Sequence, residues 1–241
     1  MEREEYNMDT NPYPSFGKKY NSERAIISLT SWTARINTVS KTLYSLLTQC
    51  PGFHIVLVLS EEEFPKMMDE LPENLKLFVD NELIEVLWVF KNYKSFKKVL
   101  FTMDKYRNVP VISADDDCIY TCNYAQELYD KWTKNKECVI TLDGATKQNI
   151  FWCRGGATLY PAKSFNLNNF LIIKTENYND DAFMAAFMIY KNIKIISLTD
   201  FTFNAKKYCD MHDEISPLSK TQKYNELLDI NYFLNLLKNT L

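Results

Sequence analysis

The first half of the chain alternates short apolar runs with longer amphipathic segments. The runs are rich in Val, Ile and Leu, as in strands buried on both faces, and cover residues 25–29, 54–60, 83–89 and 109–114. Between them, segments 37–49 and 95–106 place apolar residues three and four positions apart, which predicts helices. This βαβαβ order predicts an α/β fold with a mostly parallel central sheet, whose ligand crevice lies beyond the carboxyl ends of the strands.

The second half of the chain has a less regular order. Helices are predicted at about 123–134, 180–190 and 222–238, with strands at 138–142 and 193–197, which suggests a smaller mixed layer on the same sheet. With 241 residues, 46% of them hydrophobic, the chain can bury one large core, so we predict a single domain over 22–241. Residues 1–21 are polar, contain Pro and Gly, and are expected to form an N-terminal arm.

Composition excludes several classes of function. The chain has 28 basic and 31 acidic residues, so its net charge of −3 does not favour a nucleic-acid partner. Six cysteines without a C-x-x-C pair argue against a zinc site or a disulfide framework, and two histidines leave carboxylates as the main candidates for chemistry. Because we find no signal peptide and no apolar stretch of about 18 residues, we expect a cytoplasmic protein, at most peripherally associated with a membrane.

Three adjacent aspartates, Asp115, Asp116 and Asp117, directly follow the fourth apolar run. Two unit charges about 4 Å apart repel by about 4 kcal/mol at an effective dielectric of about 20, so the triplet needs a cation or hydrogen-bond donors. In an extended chain, Asp115 and Asp117 point to one side and Asp116 points away. A divalent cation is the favoured interpretation, and a solvated acidic turn or a helix cap is the alternative.

Five ordered segments carry a family resemblance: "IISLTSWTARINTVSKTLYSLLTQ", "VLSEEEFP", "VISADDDCIY", "RGGATLYP" and "NDDAFMAAFM". In this order they resemble bacterial glycosyltransferases of the GT-A type, related to family 2, that act in capsule or lipopolysaccharide biosynthesis. The resemblance implies a Rossmann-like GT-A domain with a nucleotide-binding half (22–122) and an acceptor-side half (123–241). It also implies a nucleoside-diphosphate sugar donor, expected to be UDP-linked, a Mn²⁺ or Mg²⁺ cofactor, and a glycan or lipid-linked acceptor. Transfer of a hexosyl group with inversion is the implied reaction.

The same resemblance implies roles for the donor side of the site. Asp115 corresponds to the carboxylate near the nucleotide ribose and, together with Asp117, to the metal-binding D-x-D pair; Asp116 shares either role. His212, in a late polar loop, corresponds to a third metal ligand, although a lone histidine is also compatible with an ordinary surface position. In the loop after the first strand, Thr30 and Ser31 are expected near the base or ribose. Arg35 is expected near a phosphate or the base, with an ordinary surface position as the alternative.

Further residues are expected near the sugar, the diphosphate and the acceptor. Lys98, near the start of a predicted helix, is a candidate contact for the diphosphate, and a solvated helix face explains it equally well. Gly155 and Gly156 would let the backbone approach the donor sugar, unless they form a strand-edge bulge. The resemblance places the catalytic base on Asp180 or Asp181. We favour Asp181 as the base, with Asp180 as a helix cap or an acceptor contact. Acidic residues also occur in first helical turns simply because they complement the dipole.

Other functions are compatible with parts of this pattern. A nucleotidyltransferase on a similar sheet would also use acidic metal ligands, although the loop "TSWTARI" lacks the glycines that such enzymes usually have. A glycosidase could use paired carboxylates without a nucleotide. A catalytically silent GT-A-like domain that binds a carbohydrate or a protein partner is the alternative that is not an enzyme.

Overall fold

A central eight-stranded sheet organises the protein. The structure, a computed structural model, describes residues 13–21, 24–49, 51–147, 150–153, 155–173, 179–198, 208–210 and 226–241. Eight strands form the main sheet in the order β1-β4-β3-β2-β5-β10-β7-β11: β1 (Ser15–Gly17), β2 (Ile26–Thr30), β3 (His54–Ser60), β4 (Glu85–Val89), β5 (Val111–Ala114), β7 (Val139–Thr141), β10 (Ala157–Tyr160) and β11 (Ile195–Ser197). Two short antiparallel pairs stand apart from it, β6 (Cys118–Tyr120) with β12 (Tyr208–Asp210), and β8 (Gly144–Lys147) with β9 (Ile150–Cys153).

The centre of the main sheet is parallel and its flanks are mixed. Strands β4, β3, β2 and β5 run parallel to one another, with Ile26 of β2 opposite both His54 and Val111. Strand β10 is antiparallel to its neighbours β5 and β7, and β11 pairs in parallel with β7. This arrangement confirms the predicted α/β fold with a mostly parallel sheet. The second half of the chain supplies the antiparallel strand β10, whereas β1, which is antiparallel to β4, comes from the N-terminal segment.

Helices cover both faces of the sheet. The helices are α1 (Val39–Leu47), α2 (Glu73–Asp80), α3 (Lys97–Lys105), α4 (Tyr124–Thr133), α5 (Leu167–Ile173), α6 (Asp180–Tyr190) and α7 (Glu226–Thr240). Alternate strand residues face opposite layers. Val56 and Val58 of β3 belong to the buried cluster that includes residues of α3, α5, α6 and α7, whereas Leu57 and Leu59 belong to the cluster that includes residues of α1, α2 and α4. No helix in the described part of the chain is long and apolar enough to span a membrane.

The predicted elements agree closely with the observed ones where periodicity is strong. Strand β3 and helix α6 have the predicted bounds, and α1, α3 and α4 begin and end within about two residues of prediction. Helices α2 and α5 were not predicted. In the predicted arm, Ser15–Gly17 pairs with β4, and Tyr13 is buried against the core, so this part of the segment belongs to the sheet. Residues 1–12 lie outside the described residues.

A buried polar cluster lies at the amino ends of β3 and β4. His54 Nε2 lies 2.6 Å from Glu85 Oε2, and Glu85 accepts hydrogen bonds from Lys105 Nζ at 2.8 Å and Tyr106 Oη at 2.5 Å. Burial alone would raise the pKa of Glu85, but the hydrogen bonds with His54, Lys105 and Tyr106 lower it to about 2. The cluster therefore stabilises the end of the sheet opposite the acidic triplet.

Candidate functional site

The acidic triplet lies at the carboxyl edge of the parallel strands. Strand β5 ends at Ala114, and Asp115, Asp116 and Asp117 form the turn that leads into β6. Its neighbour β2 ends at Thr30 and is followed by the loop containing Ser31. In open α/β sheets, ligands bind in the crevice beyond this edge. The tertiary structure therefore brings the triplet and the loop after β2 together at the predicted place.

Asp116 is the buried member of the triplet. Its two carboxylate oxygens accept hydrogen bonds from Ser31 Oγ and from Arg35 Nη1, each at 2.7 Å. Thr42 Oγ1 of α1 donates to the Asp116 carbonyl oxygen at 2.9 Å. Asp116 thus fastens the triplet to the loop after β2 and to α1.

Arg35 joins two members of the triplet. Besides the contact with Asp116, its Nη1 lies 3.0 Å from Asp117 Oδ2. Burial alone would lower the pKa of Arg35, but the charge of Asp116 and its hydrogen bond, followed by the charge of Asp117, raise it. The Thr30 side chain is also fixed by a hydrogen bond, since its Oγ1 donates to the carbonyl oxygen of Val58 at 2.7 Å. The contacts of Thr30, Ser31 and Arg35 with a nucleotide stay predictions.

Asp115 faces both the core and the crevice. Its Oδ1 accepts a hydrogen bond from Lys98 Nζ at 2.6 Å, while its side chain remains 39% exposed. Its backbone N–H donates to Tyr120 Oη at 2.8 Å, and that hydroxyl donates to the carbonyl oxygen of Gly156 at 2.6 Å. Tyr120 therefore connects the acidic turn to the turn before β10.

The first and third aspartates could hold a cation. Ligand atoms of Asp115, Asp117 and Cys118 all lie within 4.8 Å of one another. Carboxylate oxygens suit Mg²⁺ and Mn²⁺, which keep water or substrate phosphates as their other ligands, whereas a thiol suits softer metals. The two carboxylates therefore fit the predicted cation. His212, the predicted third ligand, lies outside the described residues.

The two glycines before β10 pack against these carboxylates. A Cβ on Gly156 would overlap Asp115 Oδ2, and one on Gly155 would lie 2.9 Å from Asp181 Oδ1. Gly155 N–H donates to the same Asp181 oxygen at 2.7 Å. The glycines thus allow the backbone to approach the acidic groups closely, and their contact with a donor sugar stays a prediction.

Helix α6 begins at the second acidic motif. Its N-cap is Asn179, whose side-chain oxygen accepts a hydrogen bond from the Ala182 N–H at 2.9 Å, so the predicted helix cap on Asp180 was wrong. Asn179 has the extended backbone typical of an N-cap, whereas Asp180 is already the first helical residue. Asp180 and Asp181 occupy the first turn, where negative charge is stabilised by the helix dipole.

The surroundings of Asp181 raise the pKa of its carboxyl group. Burial raises its pKa well above the ordinary value, and the negative charge of Asp180 raises it further. The opposing effects of the Lys98 charge and the Gly155 N–H do not cancel this increase. A carboxylate with a raised pKa is a stronger base near neutral pH, and the Gly155 hydrogen bond fixes one of its oxygens.

Lys98 does not lie on a solvated helix face. Lys98 is 5% exposed, and its ammonium lies 2.6 Å from Asp115 and 3.8 Å from Asp180. Burial alone would lower its pKa, but the charges of Asp115, Asp180 and Asp181 raise it above the ordinary value. Lys98 is therefore charged and surrounded by the carboxylates of both acidic motifs. Its contact with a diphosphate stays a prediction.

Sequence reasoning did not identify Tyr120 as part of the site. A usable signal is present in "DDDCIY", because alternation along β6 places Cys118 and Tyr120 on one face, and both are buried. The hydrogen-bond partners of Tyr120 could not be inferred, since Gly156 lies 36 positions further along the chain.

Comparisons with known proteins identify the fold. No family model matches the sequence, and no curated protein matches it significantly. The structure is similar to that of S. aureus TarS 1–349 in complex with UDP-GlcNAc, with a TM-score of 0.56 and 11% identity over 90% of this chain and 66% of that chain. A second TarS 1–349 structure gives a TM-score of 0.51 and 12% identity over 73% of this chain and 58% of that one.

The matched region spans less than two thirds of the TarS 1–349 chain in both comparisons, 66% and 58%. The similarity shows that the chain has the GT-A-like α/β fold of these structures.

Proposed function

We propose that this protein is a metal-dependent, inverting glycosyltransferase. It moves a sugar, a hexosyl group, from a nucleoside-diphosphate donor to a hydroxyl of a glycan or lipid-linked acceptor in bacterial surface polysaccharide synthesis. The observation that carries the proposal is the meeting of two acidic motifs at one edge of a GT-A-like sheet, where Lys98 lies 2.6 Å from Asp115 and 3.8 Å from Asp180. UDP is the proposed nucleotide, since TarS structures of the same fold contain UDP or UDP-GlcNAc.

The donor lies in the nucleotide-binding half, residues 22–122. Asp115 and Asp117 would hold the divalent cation, and Asp116 orients the turn through Ser31 and Arg35. A Mn²⁺ or Mg²⁺ ion held there would supply positive charge to neutralise the nucleoside diphosphate leaving group. The nucleotide is lined by Thr30, Ser31 and Arg35. The turn formed by Gly155 and Gly156 allows close approach of the sugar.

The acceptor lies against the half formed by residues 123–241. Asp181 accepts the proton of the acceptor hydroxyl while that oxygen forms its bond to the anomeric carbon and the bond to the diphosphate oxygen breaks. A single displacement of this kind inverts the anomeric configuration. Burial raises the pKa of Asp181, and the charge of Asp180 raises it further, which supports the role of Asp181 as the base.

Thermal unfolding with a panel of nucleotide sugars tests the donor site. At about 100 times its Kd, a donor should add about 2.7 kcal/mol of stability, equivalent to a Tm increase of roughly 5–11 °C for a chain of this size. We expect the shift with UDP-sugars in the presence of Mn²⁺, and a much smaller one after Asp117→Asn. Asp130→Asn, on the exposed part of α4, is the matched control and should behave as wild type. No shift with any nucleotide would refute the donor site.

Turnover of the Asp181→Asn variant tests the base. Because a positioned base typically contributes about 10²- to 10⁴-fold, kcat should fall by that range while the donor-induced Tm shift is retained. Normal turnover in a variant that still binds donor would move the role to Asp180 or to another group.

A further inference from the structure

Lys98 connects the two acidic motifs of the site. It belongs to α3, beneath the carboxyl edge of the sheet, and is almost completely buried. Its ammonium donates to Asp115 at 2.6 Å and lies 3.8 Å from Asp180 on α6. It would also lie 3.2 Å from a Cβ placed on Gly155, next to the oxygen of Asp181. The ammonium of Lys98 therefore forms ion pairs with carboxylates from both halves of the chain.

The contacts of Lys98 differ from those of a phosphate-binding lysine. Such a lysine presents its ammonium to the ligand, whereas this one is enclosed by carboxylates and the glycine turn. Asp115 is the shared partner, because Oδ1 accepts from Lys98 while its carboxylate also belongs to the cluster that fits a divalent cation. An ammonium and a divalent cation that use the same carboxylate compete for its negative charge.

We propose that Lys98 is an internal counter-ion that competes with the divalent cation for Asp115 and ties the acidic triplet to the first turn of α6. The proposal rests on the proposed function, since the cation is the cofactor of that enzyme. Lys98 is a positioning residue rather than a ligand of the donor. It neutralises Asp115 before the cation binds, and it keeps Asp180 and Asp181 close to the donor-binding edge.

Binding of Mn²⁺ alone, measured by the electron paramagnetic resonance signal of the free ion, tests this role without donor or turnover. Lys98→Met removes the competing charge, so we expect the Kd for Mn²⁺ to fall by about tenfold. Lys98→Arg retains the charge and should stay within about threefold of wild type. Lys105→Met is the matched control: it removes a partly buried lysine from the same helix, but its partner Glu85 lies in the cluster at the opposite end of the sheet.

Removal of Lys98 leaves three carboxylates without their cation, which can prevent folding. The double variant Lys98→Met with Asp180→Asn removes one charge of each sign and should also bind Mn²⁺ more tightly than Asp180→Asn alone. Unchanged or weaker Mn²⁺ binding by the folded variants would overturn the proposal. Weaker binding of UDP to Lys98→Met in the absence of metal would overturn it too, because that result identifies Lys98 as a phosphate ligand.

The two proposals fail in different ways. If no nucleotide sugar is turned over, yet Lys98→Met binds Mn²⁺ more tightly, the glycosyltransferase is refuted and the counter-ion role stands. If UDP-sugars bind and react while Mn²⁺ affinity is insensitive to Lys98, the enzyme stands and the counter-ion role is refuted.

Discussion

The ion pair between Arg35 and Asp116 predicts a large effect of one substitution on stability. The side chains are 14% and 8% exposed, and the pair is 2.7 Å apart, so neither charge is well solvated. Arg35→Met removes the guanidinium and leaves the Asp116 carboxylate with Ser31 Oγ as its side-chain donor. Removal of one partner of a buried pair typically costs about 3–5 kcal/mol. We expect about 3 kcal/mol, the lower end, because the Ser31 hydrogen bond is retained.

Urea unfolding followed by far-UV circular dichroism and by Trp fluorescence measures the loss in free energy of unfolding. In thermal unfolding, a loss of about 3 kcal/mol corresponds to a Tm decrease of roughly 6–12 °C for a chain of this size. In a double-mutant cycle with Asp116→Asn, the charge left buried by Arg35→Met is itself removed. The double variant should therefore recover much of the lost stability, with a coupling energy of about 1–3 kcal/mol.

Arg107→Met is the matched control for that cycle. Its guanidinium also pairs with an aspartate, Asp104, at 3.3 Å, but the arginine side chain is 60% exposed. Surface pairs contribute at most about 1 kcal/mol, so this variant should be close to wild type. A loss below about 1 kcal/mol in Arg35→Met, or additive effects in the double variant, would refute the assignment of Asp116 as a buried anchor.

Three further predictions concern other groups. Gly156→Ala places a Cβ against the Asp115 carboxylate, so the Mn²⁺-dependent affinity for the donor, measured by calorimetry, should fall by at least about tenfold. Wild-type affinity in this variant would contradict the close packing. Because the pKa of Asp181 is raised and the base acts deprotonated, kcat should fall as pH decreases through that raised value. Asp180→Asn should shift the kcat–pH profile to lower pH, and an unshifted profile would exclude this coupling. The pKa of Glu85 is about 2 in the folded state against 4.5 ordinarily, so it stabilises the fold above pH 4.5 by about 3 kcal/mol. Stability measured by urea unfolding should fall between pH 4.5 and 2, and Glu85→Gln should lack this contribution; an equal slope in that variant would contradict it.

The parts of the site that could be predicted are those marked by local patterns. The position of Asp115–Asp117 followed from a run of buried strand residues that ends in charge, and the start of α6 followed from "NDD" before an apolar segment. Period and strand order are local properties, because each strand or helix must bury its own apolar face. The same pattern did not show that Asn179 rather than Asp180 caps α6, since both residue types are suitable caps.

The partners of these groups could not be predicted. Asp116 contacts Ser31 and Arg35, which lie 85 and 81 positions away in the sequence. Lys98 contacts Asp115, 17 positions away, and also lies near Asp180 at the start of α6. Each contact depends on which strands are neighbours in the sheet, and that order is a property of the packed core rather than of any segment. The amino-acid pattern was sufficient to indicate the α/β layers and the edge at which carboxylates gather. Only the tertiary structure decided that Arg35 neutralises Asp116 and that a buried lysine joins the two acidic motifs, because charges distant in the sequence share an environment only after the chain has folded.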